Sequence, residues 1–194
     1  MWRYPQCNSR VFNPVPAAFS KTTGIAGGMS RHDCFAFGVD LDGVVGNHSK
    51  LFRKVVAREL GVPVQSLPRE HDWNSTEWGL QPGMFPELDA IAVEHDRMFL
   101  NMEPTEGAVD AISELAEAGV CIRIVTHRLC VPDLHAITAG DTVKWLDDIE
   151  LSYRELCFTG HKSSVGSDIS IGDAPHNVEA LRKSGVETII FDQP

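Results

Sequence analysis

The sequence contains no apolar run approaching the ~18–20 residues of a membrane span. Its opening stretch, MWRYPQCNSRVFNPVPAAFS, lacks the basic start and apolar segment of a secretory signal. Cysteine is sparse, with five in all (Cys7, Cys34, Cys121, Cys130 and Cys157) and no CxxC pair among them. An odd number, several inside apolar runs where a free thiol behaves as a small hydrophobe, argues against a disulfide framework or zinc site. These absences lead us to expect a reducing, cytoplasmic setting and no membrane partner. Positive charge is scarce too: 17 Lys and Arg against 27 Asp and Glu, a formal net charge of −10. That argues against a nucleic-acid polymer as partner, which wants a basic stripe. It does not exclude a small phosphorylated ligand, because distant carboxylates are screened beyond a Debye length of about 8 Å. The histidines show no metal-ligand spacing, and no internal repeat is present.

What is present is enough apolar residue, 43% of 194, for one globular domain with a sizeable core. Residues 1–33 are rich in Pro, Gly, Ser and Asn without periodicity and read as a flexible arm, with Met29 as an alternative start. From Cys34 the apolar run CFAFGVD ends in an acid, as a buried parallel strand does. HSKLFRKVVAREL then carries Phe52, Val55, Val56 and Leu60 on one side of a helix, closed by Gly61 and Pro63. The segment up to Met102 holds Trp73, Trp78, scattered prolines and a helix expected over PELDAIAVEHDRMFL, with no convincing strand. It reads as a helical cap, residues 47–102, inserted into a core made of 34–46 and 103–194. A βα rhythm then resumes through VCIRIVT, ELCF, SDISI and VETIIF, separated by amphipathic helices. Alternation of this kind predicts an α/β fold, a parallel sheet with helices on both faces in three layers.

Ligands of open α/β sheets bind beyond the carboxyl ends of the strands. Asp40 ends the first strand and Asp42 follows in Asp40-Leu41-Asp42-Gly43. Thr126 ends CIRIVT, Lys162 follows ELCF, and Asp173 follows SDISI. Three acids, a hydroxyl and an amine thus reach one edge. A carboxylate can attack phosphorus covalently, and the clash of anion with anion is relieved by lysine and Mg²⁺. Asp42 is placed to act as acid and then base. Gly43 permits a sharp turn that exposes N–H groups to phosphate oxygens.

Each residue also has a plainer reading. Asp-x-Asp-Gly opens calcium loops, but an EF-hand would need an oxygen ligand at Val44, glycine at Val45 and Glu at Leu51. Thr126 could be a capping hydroxyl, Lys162 a solvated charge, Asp173 a helix N-cap, and Arg128 either a partner for an anionic substrate or one more solvated loop arginine. Trp73 and Trp78 could stack a nucleobase or form the small core of the insertion. Asp168 begins its strand and so lies at the wrong edge.

Taken together, Asp40-Leu41-Asp42-Gly43-Val44, Thr126, Lys162 and Ile171-Gly172-Asp173 resemble, in order and spacing, the four motifs of the haloacid dehalogenase-like superfamily of phosphatases. The helical insertion, Glu103-Pro104-Thr105-Glu106-Gly107-Ala108, Lys144-Trp145-Leu146 and SDISIGDAPHNVEAL resemble the 5′(3′)-deoxyribonucleotidase group and its bacterial relatives. The resemblance implies a Rossmann-like sheet, Asp40 as nucleophile and Asp42 as acid/base. It further implies that Thr126 and Lys162 hold the phosphoryl group; His127, next to Thr126, is read separately as either a phosphate contact through its backbone N–H or ring, or a structural residue. Mg²⁺ would be bound by the Asp40 carboxylate, the Asp42 backbone carbonyl and Asp173. The partner would be a small phosphorylated metabolite, a nucleotide on this reading. The alternatives are another metabolite such as a sugar phosphate, or a non-catalytic phosphate- or partner-binding protein. The chain departs from the group at His127-Arg128, where animal members carry serine. It departs again at Gly172, where many carry a further acid, and at Asp192-Gln193-Pro194, where relatives continue.

Overall fold

The computed structural model describes residues 34–69 and 75–192. The readings on the arm, on Met29 and on Trp73 lie outside them. The element order is β1 (Ala36–Val39), α1 (His48–Leu60), α2 (Met84–Glu94), α3 (Met98–Asn101), α4 (Ala108–Glu117), β2 (Cys121–Thr126), α5 (His135–Asp148), β3 (Glu155–Phe158), β4 (Ile169–Gly172), α6 (Pro175–Lys183) and β5 (Glu187–Ile190). Short 3-10 turns join several of them.

All strands are parallel and run in the order β3-β2-β1-β4-β5. The central strand β1 is the most enclosed, all four of its residues being buried. Alternation divides the sheet into two faces. Phe37, Val39, Ile122, Ile124 and Ile171 pack with Ile112 of α4 and Trp145 and Leu146 of α5. Gly38 and Ser170 belong to the other face, with Val178 and Leu181 of α6. That face admits little bulk: a Cβ on Gly38 would lie 2.7 Å from Ser170 Oγ. The result is the expected three-layer α/β sandwich.

Between β1 and β2 the chain leaves the sheet and builds a second hydrophobic cluster. Phe52, Val55, Val56, Trp78, Leu88, Val93, Met98 and Phe99 are buried there. Trp78 is core, its ring 6.1 Å from that of Phe52. Helix α1 forms where its pattern predicts. Asn47 Oδ1 caps it by accepting from the Lys50 N–H, and Gly61 ends it at φ 67°. The single helix expected over 86–100 is instead two. Arg97 adopts φ 49°, and the break is held by side chains from elsewhere. Arg58 of α1 pairs with Asp96, and Arg97 pairs with the buried Asp141 of α5. Periodicity could not show this, since both partners are distant in sequence. Entry to and exit from the insertion lie side by side: Asn47 N–H donates to Glu103 O and Thr105 N–H to Val45 O.

A further correction concerns cysteine. Cys34 and Cys121, 87 residues apart, form a disulfide with a Cα–Cα distance of 5.9 Å, within the usual range. It joins the starts of β1 and β2 at the sheet edge away from Asp40. Spacing alone missed it because parallel neighbours meet only after a long crossover. Among the described residues no helix is long and apolar enough to cross a membrane.

Candidate active site

The parallel register delivers Asp40, Thr126 and Asp173 to one edge, since Val39 pairs with Ile124 and with Ile171. Lys162 arrives on the 3-10 turn after β3 and forms an ion pair with Asp40 Oδ2. Asp40 Oδ1 accepts from the Leu41 N–H at 2.9 Å, so both carboxylate oxygens are engaged. Burial raises the Asp40 carboxyl above its ordinary value, against the opposing pull of Lys162 and with added push from Asp42.

The loop after β1 is tightly wound. The N–H groups of Val44, Val45 and Gly46 all point to Leu41 O, and Gly43 N–H donates to Gly46 O at 3.0 Å. The amide expected to face phosphate at Gly43 is therefore spent inside the turn. Gly43 is needed for another reason. It has φ 79°, and a Cβ there would overlap Asp173 Oδ2. Asp173 thus stands directly against the Asp42-Gly43 segment.

Asp173 does not cap α6, whose N-cap Ala174 lends no side-chain bond. Its Oδ1 is buried without a hydrogen-bond partner, and burial followed by the charge of Asp40 pushes the carboxyl up to about 6. The buried Thr126 hydroxyl likewise has no partner. Such orphaned groups are costly unless something completes them. A narrow crevice between the sheet and α6, lined by Gly38, Ser170, Val178 and Leu181, has Asp40 and Lys162 among its walls.

The remaining residues divide. His127 is exposed, and its ring packs over Gly160, where a Cβ would meet Nε2 at 2.8 Å. Arg128 is neither solvated nor open to a ligand: it is buried and pairs with Asp42. Burial works to raise the Asp42 carboxyl, but Arg128, helped by His48 and Lys162, holds it below its ordinary range. Asp168 Oδ2 accepts from the Ala36 N–H at the opposite edge, a tie within the sheet.

Sequence reasoning missed the surroundings of Asp42. His48, at the first position of α1, influences its charge and packs 5.5 Å from the Phe52 ring. Asp89 of α2 is pushed up to about 6 by burial and then by Asp42. The position of His48, just after the Asp40–Gly46 loop, was a usable signal. Asp89 gave none.

Among the described residues no three His, Cys, Asp or Glu side chains form a metal cluster. A Mg²⁺ site asks for less, one or two carboxylates with carbonyls and waters. The orphaned Asp173 Oδ1 beside the Asp40–Asp42 loop fits that demand.

Residues 35–194 match the family model described as 5′ nucleotidase, deoxy (Pyrimidine), cytosolic type C protein. The chain belongs to this 5′-nucleotidase family. A protein of Chlorobaculum tepidum described as "Putative 5'(3')-deoxyribonucleotidase" is 39% identical over 164 residues, which cover 84% of this chain and 81% of that one. The mitochondrial 5′(3′)-deoxyribonucleotidase of Mus musculus is 29% identical over 163 residues, 79% of this chain and 70% of that one. Among solved structures, a haloacid dehalogenase-like hydrolase of Streptococcus pneumoniae superposes with a TM-score of 0.55 at 17% identity, covering 81% of this chain and 84% of its own. A second hydrolase from that species (strain TIGR4) gives 0.56 at 16%, covering 83% and 94%. These two share the fold. Family membership makes the chain a phosphatase of 5′-nucleotidase type, a hydrolase of phosphoric monoesters.

Proposed function

We propose that the protein hydrolyses 5′-(deoxy)ribonucleoside monophosphates through an aspartyl-phosphate on Asp40. The observation that carries this reading is the Asp40–Lys162 ion pair, set beside two buried groups with no partner, the Thr126 hydroxyl and Asp173 Oδ1. Together they supply a nucleophile, a cation, a phosphate donor and an unused metal ligand at one sheet edge. The nucleotide as substrate rests on the family and on the named relatives.

In the first step Asp42, which Arg128 holds toward its ionised form, takes a proton from the monoanionic phosphate ester; an Asp40 oxygen then attacks phosphorus, and the bond to the leaving oxygen breaks as Asp42 gives that oxygen the proton. In the second, the Asp42 carboxylate takes a proton from water. The water oxygen attacks phosphorus, releasing orthophosphate and restoring Asp40. Lys162 and the Thr126 hydroxyl hold the equatorial oxygens, with His127 at the rim. The Asp40 carboxylate, the Asp42 backbone carbonyl and Asp173 would hold Mg²⁺, which when bound neutralises charge on the transferring group. The helical insertion serves as a cap that shapes the substrate's entry.

The test is a phosphomonoester panel with and without Mg²⁺, using Asp40→Asn as control. Nucleoside monophosphates should rank among the best substrates, chelation should stop turnover, and Asp40→Asn should lose on the order of 10⁴–10⁶ in rate. Retention of activity within tenfold of wild type by Asp40→Asn would refute the covalent role. Nucleotides ranking among the poorest substrates would refute the nucleotidase reading.

A further inference from the structure

Arg128 follows the Thr126 strand, where a solvated or ligand-binding arginine is the ordinary expectation. Its side chain is instead 0% exposed. Nε lies 3.1 Å from both carboxylate oxygens of Asp42, and Nη2 donates to Asp42 Oδ1 at 2.8 Å. Nη1 donates to Thr142 Oγ1 at 3.2 Å, and that hydroxyl donates in turn to Thr138 O at 2.7 Å. The guanidinium carbon sits 4.4 Å from the Phe99 ring centroid and 5.2 Å from that of Trp145. Trp145 is itself fixed by its Nε1–H to Met102 O at 2.7 Å. The cation is thus surrounded by two aromatic rings, one hydroxyl and one carboxylate.

A buried ion pair of this kind is poor value for stability, since desolvating both charges offsets most of their attraction. What it supplies is geometry. Asp42 lies on a loop and would otherwise sample several staggered rotamers. A planar fork gripping both oxygens selects one of them, while 29% of the Asp42 side chain stays exposed. The same geometry removes Arg128 as a phosphate ligand, because its fork is occupied and it does not reach the surface.

We propose that Arg128 is a positioning residue that locks the Asp42 carboxyl in place for proton transfer to the leaving group. The inference rests on the reading of Asp42 given above and adds its support: an arginine packed against an aromatic of the insertion and one of α5. A one-ångström misplacement of a catalytic group can cost about 10²-fold.

The experiment measures kcat/KM, which covers steps through leaving-group departure, on two substrates. A nucleoside 5′-monophosphate expels a poor alkoxide and needs the proton. p-Nitrophenyl phosphate expels a stable phenolate and needs it far less. Arg128→Met should lose about 10²–10³-fold on the nucleotide and less than about tenfold on the aryl ester. Arg128→Lys, which keeps the charge but not the planar fork, should recover less than tenfold of the nucleotide loss. Thr142→Val, which removes the Nη1 contact and the hydroxyl's bond to Thr138 O but leaves the Arg128–Asp42 pair, should show the same selectivity more weakly and serves if the Met variant does not fold. Inhibition by orthophosphate should be unchanged in all three.

Equal losses on both substrates, a weakened orthophosphate inhibition, or a gain in rate would overturn the proposal. Asp42→Asn separates the two claims. If that variant keeps nucleotide hydrolysis within tenfold of wild type, the role of Asp42 itself falls. If it shows the selective loss and Arg128→Met does not, only the role of Arg128 falls.

Discussion

Gly43 meets two constraints at once: its φ of 79° suits a turn, yet the tighter constraint is Asp173 Oδ2, which occupies the space of its absent Cβ. Gly43→Ala must therefore both strain the loop and displace Asp173. We expect at least about 10²-fold loss of turnover together with a raised Mg²⁺ requirement, read from a Mg²⁺ titration of activity. Strand ends alone place Asp40, Asp42, Thr126, Lys162 and Asp173 at one sheet edge, but they do not give the state of each side chain, which depends on neighbours distant in sequence. Asp89 is such a case. Its folded carboxyl is pushed up to about 6 from 3.8, by burial and then by Asp42. Between those values the folded state binds the extra proton, so this residue's contribution to stability falls as pH rises from about 4 to 6. Asp89→Asn should match wild type near pH 4 and melt roughly 2–5 °C higher above pH 7. Thermal melts of the metal-free protein across that range would show it. An equal shift at all pH values would mean that burial of charge is not the cause.

At the level of elements, the strands and most helices were readable because parallel strands are short apolar runs and helices repeat every 3.6 residues. Helix α1 forms from His48 to Leu60 because Asn47, the Phe52-Val55-Val56 stripe and Gly61 agree. The break between α2 and α3 was hidden because its causes, Arg58 and Asp141, lie on other helices. The disulfide was hidden for the same reason, its two cysteines being brought together by the β1–β2 register. That bond closes a long loop far from Asp40. Replacing both Cys34 and Cys121 by serine should cost roughly 2–4 kcal/mol in denaturant unfolding under oxidising conditions. The difference should vanish when wild type is reduced with dithiothreitol, and turnover should be unaffected in either state. A variant equal to wild type without reductant would show that the cross-link contributes nothing to stability.

For the whole molecule, a net charge of −10 surrounds a site that takes an anion. At low salt the field extends about 30 Å from its charges, against about 8 Å at physiological salt. Raising NaCl from about 10 to 150 mM should therefore increase kcat/KM for a nucleoside monophosphate, on the order of two- to fivefold. A decrease would mean that the local field of Lys162 governs approach. The two hydrophobic clusters, one on the sheet and one in the insertion, are also not independent. Leu51 of α1 packs against both, and α3 is bolted to α5 through Arg97 and Asp141. A scanning calorimeter should consequently record a single endotherm, because neither half can come apart without exposing a residue the other half needs.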